Sequence, residues 1–167
     1  NNPSPWVSRP NNVRDMYDTG VTSSNNIALT GGNDKGNFRL SFTNVDQNGM
    51  VPNTGLTRKT FAVNSGYNMT EKLHVGVALQ YIKSEVDAPT GGYSDGNPIQ
   101  QTIWSGRNVD FNGLRDWRNL PLAGASTPAA GTPLNWNTKY QNNPFWALET
   151  NQAIERKDRV IGNINVS

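Results

Sequence analysis

The stretch KLHVGVALQYIK, Lys72 to Lys83, decides how the chain folds. Leu73, Val75, Val77, Leu79 and Tyr81 form one alternate series, and His74, Gly76, Ala78, Gln80 and Ile82 form the other. Period-two alternation marks a β-strand with one greasy face and one mostly small or polar face. The greasy face can meet a protein core, as in a soluble sandwich, or lipid, as in the wall of a membrane barrel.

Working outward, the same alternation recurs. NNIALTGG, from Asn25, alternates weakly through Ile27 and Leu29. NFRLSFTNV sets Phe38, Leu40 and Phe42 against Arg39, Ser41 and Thr43. RKTFAVNSGYN sets Phe61, Val63, Ser65 and Tyr67 against Thr60, Ala62, Asn64 and Gly66. GGNDKGN and NMTEK read as short turns and DQNGMVPNTG as a longer loop. Residues 25–84 are therefore expected to be four antiparallel strands in a meander, at 25–31, 37–45, 58–68 and 73–83. Residues 1–24 read as a loop with a turn near VRDMYDTG. Residues 85–157, rich in Gly, Pro, Asn and Thr, read as one long loop, and 158–167 as the next strand.

Composition narrows the choice. The chain has 167 residues, 34% of them hydrophobic and only 17% charged, with formal charge +2; mean hydropathy is −0.67 and the pI is near 9.0. Polarity comes from Asn, Gly, Ser, Thr and Gln, and no Lys/Arg cluster points to nucleic acid. With no cysteine and one histidine, disulfides, a Cys zinc site and a His-rich metal site are excluded. No apolar run approaches the ~18 residues of a membrane helix, but a transmembrane strand needs only about 9–11 alternating residues. No leader pattern stands at the start, and both ends read as cuts within a larger protein.

Three features favour lipid. The strands at 58–68 and 72–83 exceed the usual ~5–6 residues of a soluble sheet. Aromatics sit near strand ends: Phe38 and Tyr67 at one end, Phe61 and Tyr81 at the other, as in the girdles of membrane barrels. Connections alternate short and long, the pattern of periplasmic turns and extracellular loops. The expected lipid-facing set is Phe38, Leu40, Phe42, Phe61, Val63, Leu73, Val75, Val77, Leu79 and Tyr81, with Arg39, Asn64, His74 and Gln80 toward a polar lumen.

At this point the residues resemble a family. NNIALTGGNDKGNFRLSFTNVDQNGMVPNTGLTRKTFAVNSGYNMTEKLHV is similar to the early barrel of SusC/RagA-type TonB-dependent outer-membrane transporters of Bacteroidetes. The TGGNDKGNFRLSFT hairpin, the NGMVPNTGLTRKTF loop and the NMTEKLHV turn carry the likeness. NNPFW and RKDRVIGNINVS resemble the same proteins' loop end and next strand. The resemblance implies an all-β chain, an antiparallel meander forming part of a large transmembrane barrel with long extracellular loops. The family's barrel has about 22 strands around an N-terminal plug. It also implies an outer-membrane location, energisation through TonB, and capture of glycans or peptides with a SusD-like lipoprotein lid. Neither plug nor TonB-contacting segment is among these residues, and five strands cannot close a barrel, so the chain reads as part of a transporter.

No catalytic constellation, cofactor motif or metal pattern occurs, so no enzyme is expected. NMT at Asn68 and NVS at Asn165 match the glycosylation pattern but fall in or beside strands and read as chance. The candidate recognition residues lie in the long loop: Trp104, Arg107, Asp110, Trp117, Trp136, Tyr140 and Trp146, with Tyr93, Arg115, Asp116, Arg118 and Phe145 among them. Aromatic faces beside planar hydrogen-bonding groups suit a sugar or peptide, or a protein partner. The plainer reading is that the rings form the small core a long ordered loop needs. The competing function is a soluble secreted β-module that binds carbohydrate through this Trp-rich segment.

Overall fold

A computed structural model describes residues 5–89, 91, 97–137, 139–140 and 142–167. Tyr93, counted above among the loop aromatics, lies outside the described residues. The element order is α1 (Asn12–Asp15), β1 (Val21–Asn33), β2 (Gly36–Asn48), β3 (Gly55–Thr70), β4 (Leu73–Pro89), α2 (Pro98–Trp104), α3 (Phe111–Arg115), a 3-10 turn (Trp117–Asn119), α4 (Pro144–Thr150) and β5 (Gln152–Val166). The chain divides into two compact units, one built from the loops and one from the sheet.

The sheet unit is a five-stranded antiparallel meander, all-β as the alternation predicts, in the order β1-β2-β3-β4-β5. Every strand runs further than the alternation alone indicates. β4 continues to Pro89 rather than stopping near Ser84, because Lys83, Glu85 and Asp87 keep the period of two after the apolar residues end. β5 begins at Gln152, several residues before the expected start, through an equally polar extension. β1 begins at Val21 instead of Asn25. The turns shrink to match. Asp34 and Lys35 alone connect β1 to β2, with Asn33 Oδ1 accepting from the backbone N–H of Lys35 and of Gly36, both at 3.0 Å, a side-chain imitation of a turn.

Register follows the apolar series. Ile27 pairs with Phe42 and Leu29 with Leu40; Phe42 pairs in turn with Phe61, and Leu40 with Val63. A one-residue slip would send each series to the opposite face. Gly36 is required by closeness: a Cβ there would stand 2.6 Å from the Gly66 carbonyl oxygen and 2.7 Å from the Tyr67 ring. No residue of the sheet unit is buried. Ile27 and Ile164 are 74% and 71% exposed. A soluble sandwich needs a second layer over its apolar face, and this unit contains none.

The loop unit has the core. Met16, Val109, Phe111, Phe145 and Leu148 are buried together, with Tyr17, Val51, Leu114, Trp117 and Trp136 packed against them. The segment read as one long loop folds into short helices around an aromatic centre. Each is four to seven residues long, too short to display a 3.6-residue period. Among the described residues no helix is long and apolar enough to cross a membrane.

Candidate functional site

The first candidate surface is the two-sided sheet. Cross-strand contacts establish which residues share a face. A Cβ on Gly66 would meet the His74 ring at 3.2 Å, and one on Gly76 would lie 3.8 Å from the Asn165 Cβ. His74, Gly66, Gly76 and Asn165 therefore occupy one side. Gly162 approaches the Leu79 side chain on the other. By strand alternation the predicted lipid-facing residues all fall on the Leu79 side: Phe38, Leu40, Phe42, Phe61, Val63, Leu73, Val75, Val77, Leu79 and Tyr81. Most are exposed, and Leu40, Val63 and Val75 are half-buried among their neighbours. β5 adds Val160, Ile164 and Val166, all exposed.

The opposite side is polar and small. Arg39, Asn64 and Gln80 belong to it, as does His74. Asn64 and Gln80 line a shallow depression of about 310 Å³ with Ala62, Ala78, Ile161 and Asn163. His74 Nδ1 lies 2.7 Å from Asn68 Oδ1. A carboxamide oxygen only accepts, so His74 donates through Nδ1.

Beyond the apolar rows the Leu79 side becomes charged. Arg156 makes a two-pronged bond to Glu85, at 3.0 and 3.1 Å, and the Tyr81 hydroxyl donates to Asp158. These contacts join the outer ends of β4 and β5, where hydrophobic alternation is absent.

The second candidate is the loop unit, built on three side-chain caps. Asn97 Oδ1 accepts from Ile99 N and Gln100 N to start α2. Asp110 Oδ1 accepts from Gly113 N at 3.1 Å to start α3. Asn143 Oδ1 accepts from Phe145 N and Trp146 N to start α4. In α2 and α4 a proline follows the cap, where its missing N–H costs nothing. Fully buried Asn143 also donates through Nδ2 to the carbonyls of Leu114 and Leu134, holding three segments together.

The predicted recognition residues divide by environment. Trp117 and Trp136 pack on the aromatic core, which matches the plainer reading of the rings. Trp146 is half-buried on α4. Arg107 donates to the Pro10 carbonyl at 2.6 Å, and Asp110 pairs with Arg9 at 2.9 Å, so both also fasten the N-terminal segment. Arg115 donates twice to the Asp15 carbonyl, pairs with Asp18, and stacks 4.8 Å from the Phe145 ring centre. Trp104 and Tyr140 remain exposed, at 62% and 59%; the Lys139 ammonium stands 5.0 Å from the Tyr140 ring. Asp110 and Trp136 come together on a cleft of about 500 Å³, also lined by Asn108, Leu114, Leu120 and Leu134. Trp104, Arg107, Trp117, Tyr140 and Trp146 do not line it. The leucines, Asn108 and the exposed Ile99–Ile103 pair next to Trp104 were not singled out from sequence. The repeated Asn-Pro at 97–98 and 143–144 was the available signal, since it announces helices and hence a folded loop.

No family model matches the chain. Two curated proteins of Formosa agariphila are similar to it. TonB-dependent receptor P26 is 26% identical over 121 residues, covering 70% of this chain and 12% of that protein. TonB-dependent receptor P3 is 31% identical over 90 residues, covering 51% of this chain and 9% of that protein. The chain spans about a tenth of the length of these relatives. These partial similarities point to TonB-dependent receptors as the chain's relatives.

Proposed function

We infer that this chain forms part of the wall and the extracellular loops of a TonB-dependent outer-membrane transporter, of SusC/RagA type, and that it is not an enzyme. One observation carries the reading: a five-stranded sheet without a single buried residue, apolar along one side and polar along the other. Lipid is the partner that satisfies the first side, and a plugged, hydrated lumen the second. The partial similarity to TonB-dependent receptors supports the same reading. The connections Asp34–Lys35 and Glu71–Lys72 then face the periplasm, and the loop unit faces outward. In the full transporter TonB supplies the energy and a SusD-like lipoprotein covers the entrance.

The loop unit is the part of this chain that meets cargo or lid. Exposed Trp104 and Tyr140, and the cleft at Asp110 and Trp136, offer ring faces beside carboxylate and amide groups. Such surfaces accept glycans or peptides. The full-length protein containing this chain should fractionate with the outer membrane and require detergent for extraction. It should also migrate faster unheated than boiled, as folded barrels do, and co-purify with a surface lipoprotein. A monodisperse, cooperatively melting protein obtained without detergent would overturn the proposal and restore the soluble carbohydrate-binding module.

A further inference from the structure

The cleft of the loop unit sets a single charge among apolar side chains. Leu114, Leu120, Leu134 and Trp136 line it, and Asp110 is the one charged group among its described lining residues. The indole N–H of Trp136 is buried and has no acceptor among the described residues, so this ring offers the cleft carbon rather than a donor. A sugar brings many hydroxyls that each need a partner once out of water, and a lining of aliphatic side chains supplies few.

The carboxylate is reachable and only lightly engaged. Asp110 Oδ1 accepts from Gly113 N at 3.1 Å, and Oδ2 accepts from Arg9 Nη2 at 2.9 Å. The Arg9 and Asp110 side chains are 43% and 42% exposed, and an ion pair so open to water contributes little. Arg9 can swing away without unfastening its segment. Its backbone N–H donates to the Arg107 carbonyl at 2.8 Å, Arg107 donates to the Pro10 carbonyl, and Asn12 donates to the Gly106 carbonyl at 2.9 Å. Gly113, also on the cleft, leaves the acid uncrowded: a Cβ there would stand 3.3 Å from Asp110 Cγ and 3.4 Å from Oδ2.

We propose that this cleft is a subsite for an alkyl chain ending in a cation, which takes the place of Arg9 on Asp110. The subsite rests on the reading above that the loop unit meets cargo. A lysine side chain and a free alkylamine share the required chemistry, methylenes that lie along apolar surface and a charged head that keeps to polar ground. The leucines and Trp136 cover the stem, and Asp110 Oδ2 accepts from the ammonium in a charge-assisted bond. Arg9 already demonstrates the mode, since it too brings a cationic head on an alkyl stem to that oxygen.

Isothermal titration of the full-length protein in neutral detergent compares Gly-Lys-Gly with Gly-norleucine-Gly, which keeps the stem and lacks the charge. The wild type should bind the lysine peptide about fivefold more tightly. D110N, in which asparagine still caps α3, should erase that preference. R9A, which removes the competitor, should tighten the lysine peptide about threefold and leave norleucine unchanged. L120A should weaken both peptides. n-Pentylamine separates the two sources: tighter binding of the peptide assigns the subsite to a lysine side chain, tighter binding of the amine to a free alkylamine, and either supports the proposal. No lysine preference in the wild type, a preference that survives D110N, or an affinity that R9A leaves unchanged would overturn it. Equal displacement of Gly-Lys-Gly by maltotriose would overturn it too. With the folded heat-modifiable band intact, such a failure leaves the transporter reading standing, whereas a protein that needs no detergent removes that reading.

Discussion

Asn68 accepts a hydrogen bond from His74 at 2.7 Å, joining β3 and β4 close to the two-residue turn Glu71–Lys72. This contact fixes more than one side chain. It couples the two strands on the polar side of the sheet, and it sets the imidazole beside Gly66, where an added Cβ would stand 3.2 Å from the ring. The lone histidine is thereby a register pin on the polar side of the sheet.

His74→Ala and Asn68→Ala should each weaken the hairpin by about 1 kcal/mol, the usual net worth of one hydrogen bond. The double variant should cost little more than either single one, because both remove the same bond. Urea titration of the folded, heat-modifiable band measures all three; strict additivity would show that the two residues act separately.

Gly36→Val should be more damaging. Its Cβ would sit 2.6 Å from the Gly66 carbonyl oxygen, in backbone that cannot yield without breaking the β2–β3 ladder. A loss of about 1–3 kcal/mol, typical of overpacking, is expected, with less folded protein reaching the membrane. Gly91→Val, at a glycine with open space around it, should leave the yield unchanged.

In the loop unit, Asn143→Ala removes a helix cap and two side-chain donors at once. The cap alone is worth about 0.5–2 kcal/mol and each abandoned buried carbonyl about 1–3 kcal/mol. Hydrogen exchange in α4 should accelerate strongly, while Asn97→Ala, whose cap serves α2, should accelerate exchange there and spare α4. Phe111→Ala should cost about 3–5 kcal/mol, as expected for a fully buried ring.

Trp104→Ala and Tyr140→Ala should leave the loop's exchange pattern within about 0.5 kcal/mol of wild type, since both rings are exposed. If these rings meet cargo or lid, uptake or lipoprotein co-purification should fall. Trp117→Ala should instead loosen the whole loop unit, because its ring packs on the core.

The sheet was legible because a period of two leaves its mark in every strand. Leu73 to Tyr81 reads as one face without ambiguity, and the pairing Leu29–Leu40–Val63 confirms the register that such rows require. The extensions of β4 and β5 were not legible, because Glu85, Arg156 and Asp158 are held by a cross-strand ion pair and a hydrogen bond instead of by apolar contact. The loop helices were hidden by their length: α2 and α4 span two turns each, and only Asn-Pro at their starts announces them. In the candidate recognition residues, sequence reasoning found the rings but not their partition. Nothing in the spacing of Trp104, Trp117 and Trp136 tells which faces solvent and which fills the core around Phe111.

The central claim is that the Leu79 side of the sheet faces lipid. The chain contributes no cysteine, so spin labels can be placed singly at Val77, Ala78, Leu79 and Gln80 through cysteine substitutions in the full-length protein, reconstituted in bilayers. Collision with oxygen, which concentrates in lipid, and with a water-soluble nickel chelate then reads each environment. Labels at positions 77 and 79 should collide with oxygen and be shielded from nickel, with the preference reversed at 78 and 80. Equal accessibility along all four positions, or oxygen preference at 78 and 80, would contradict the account.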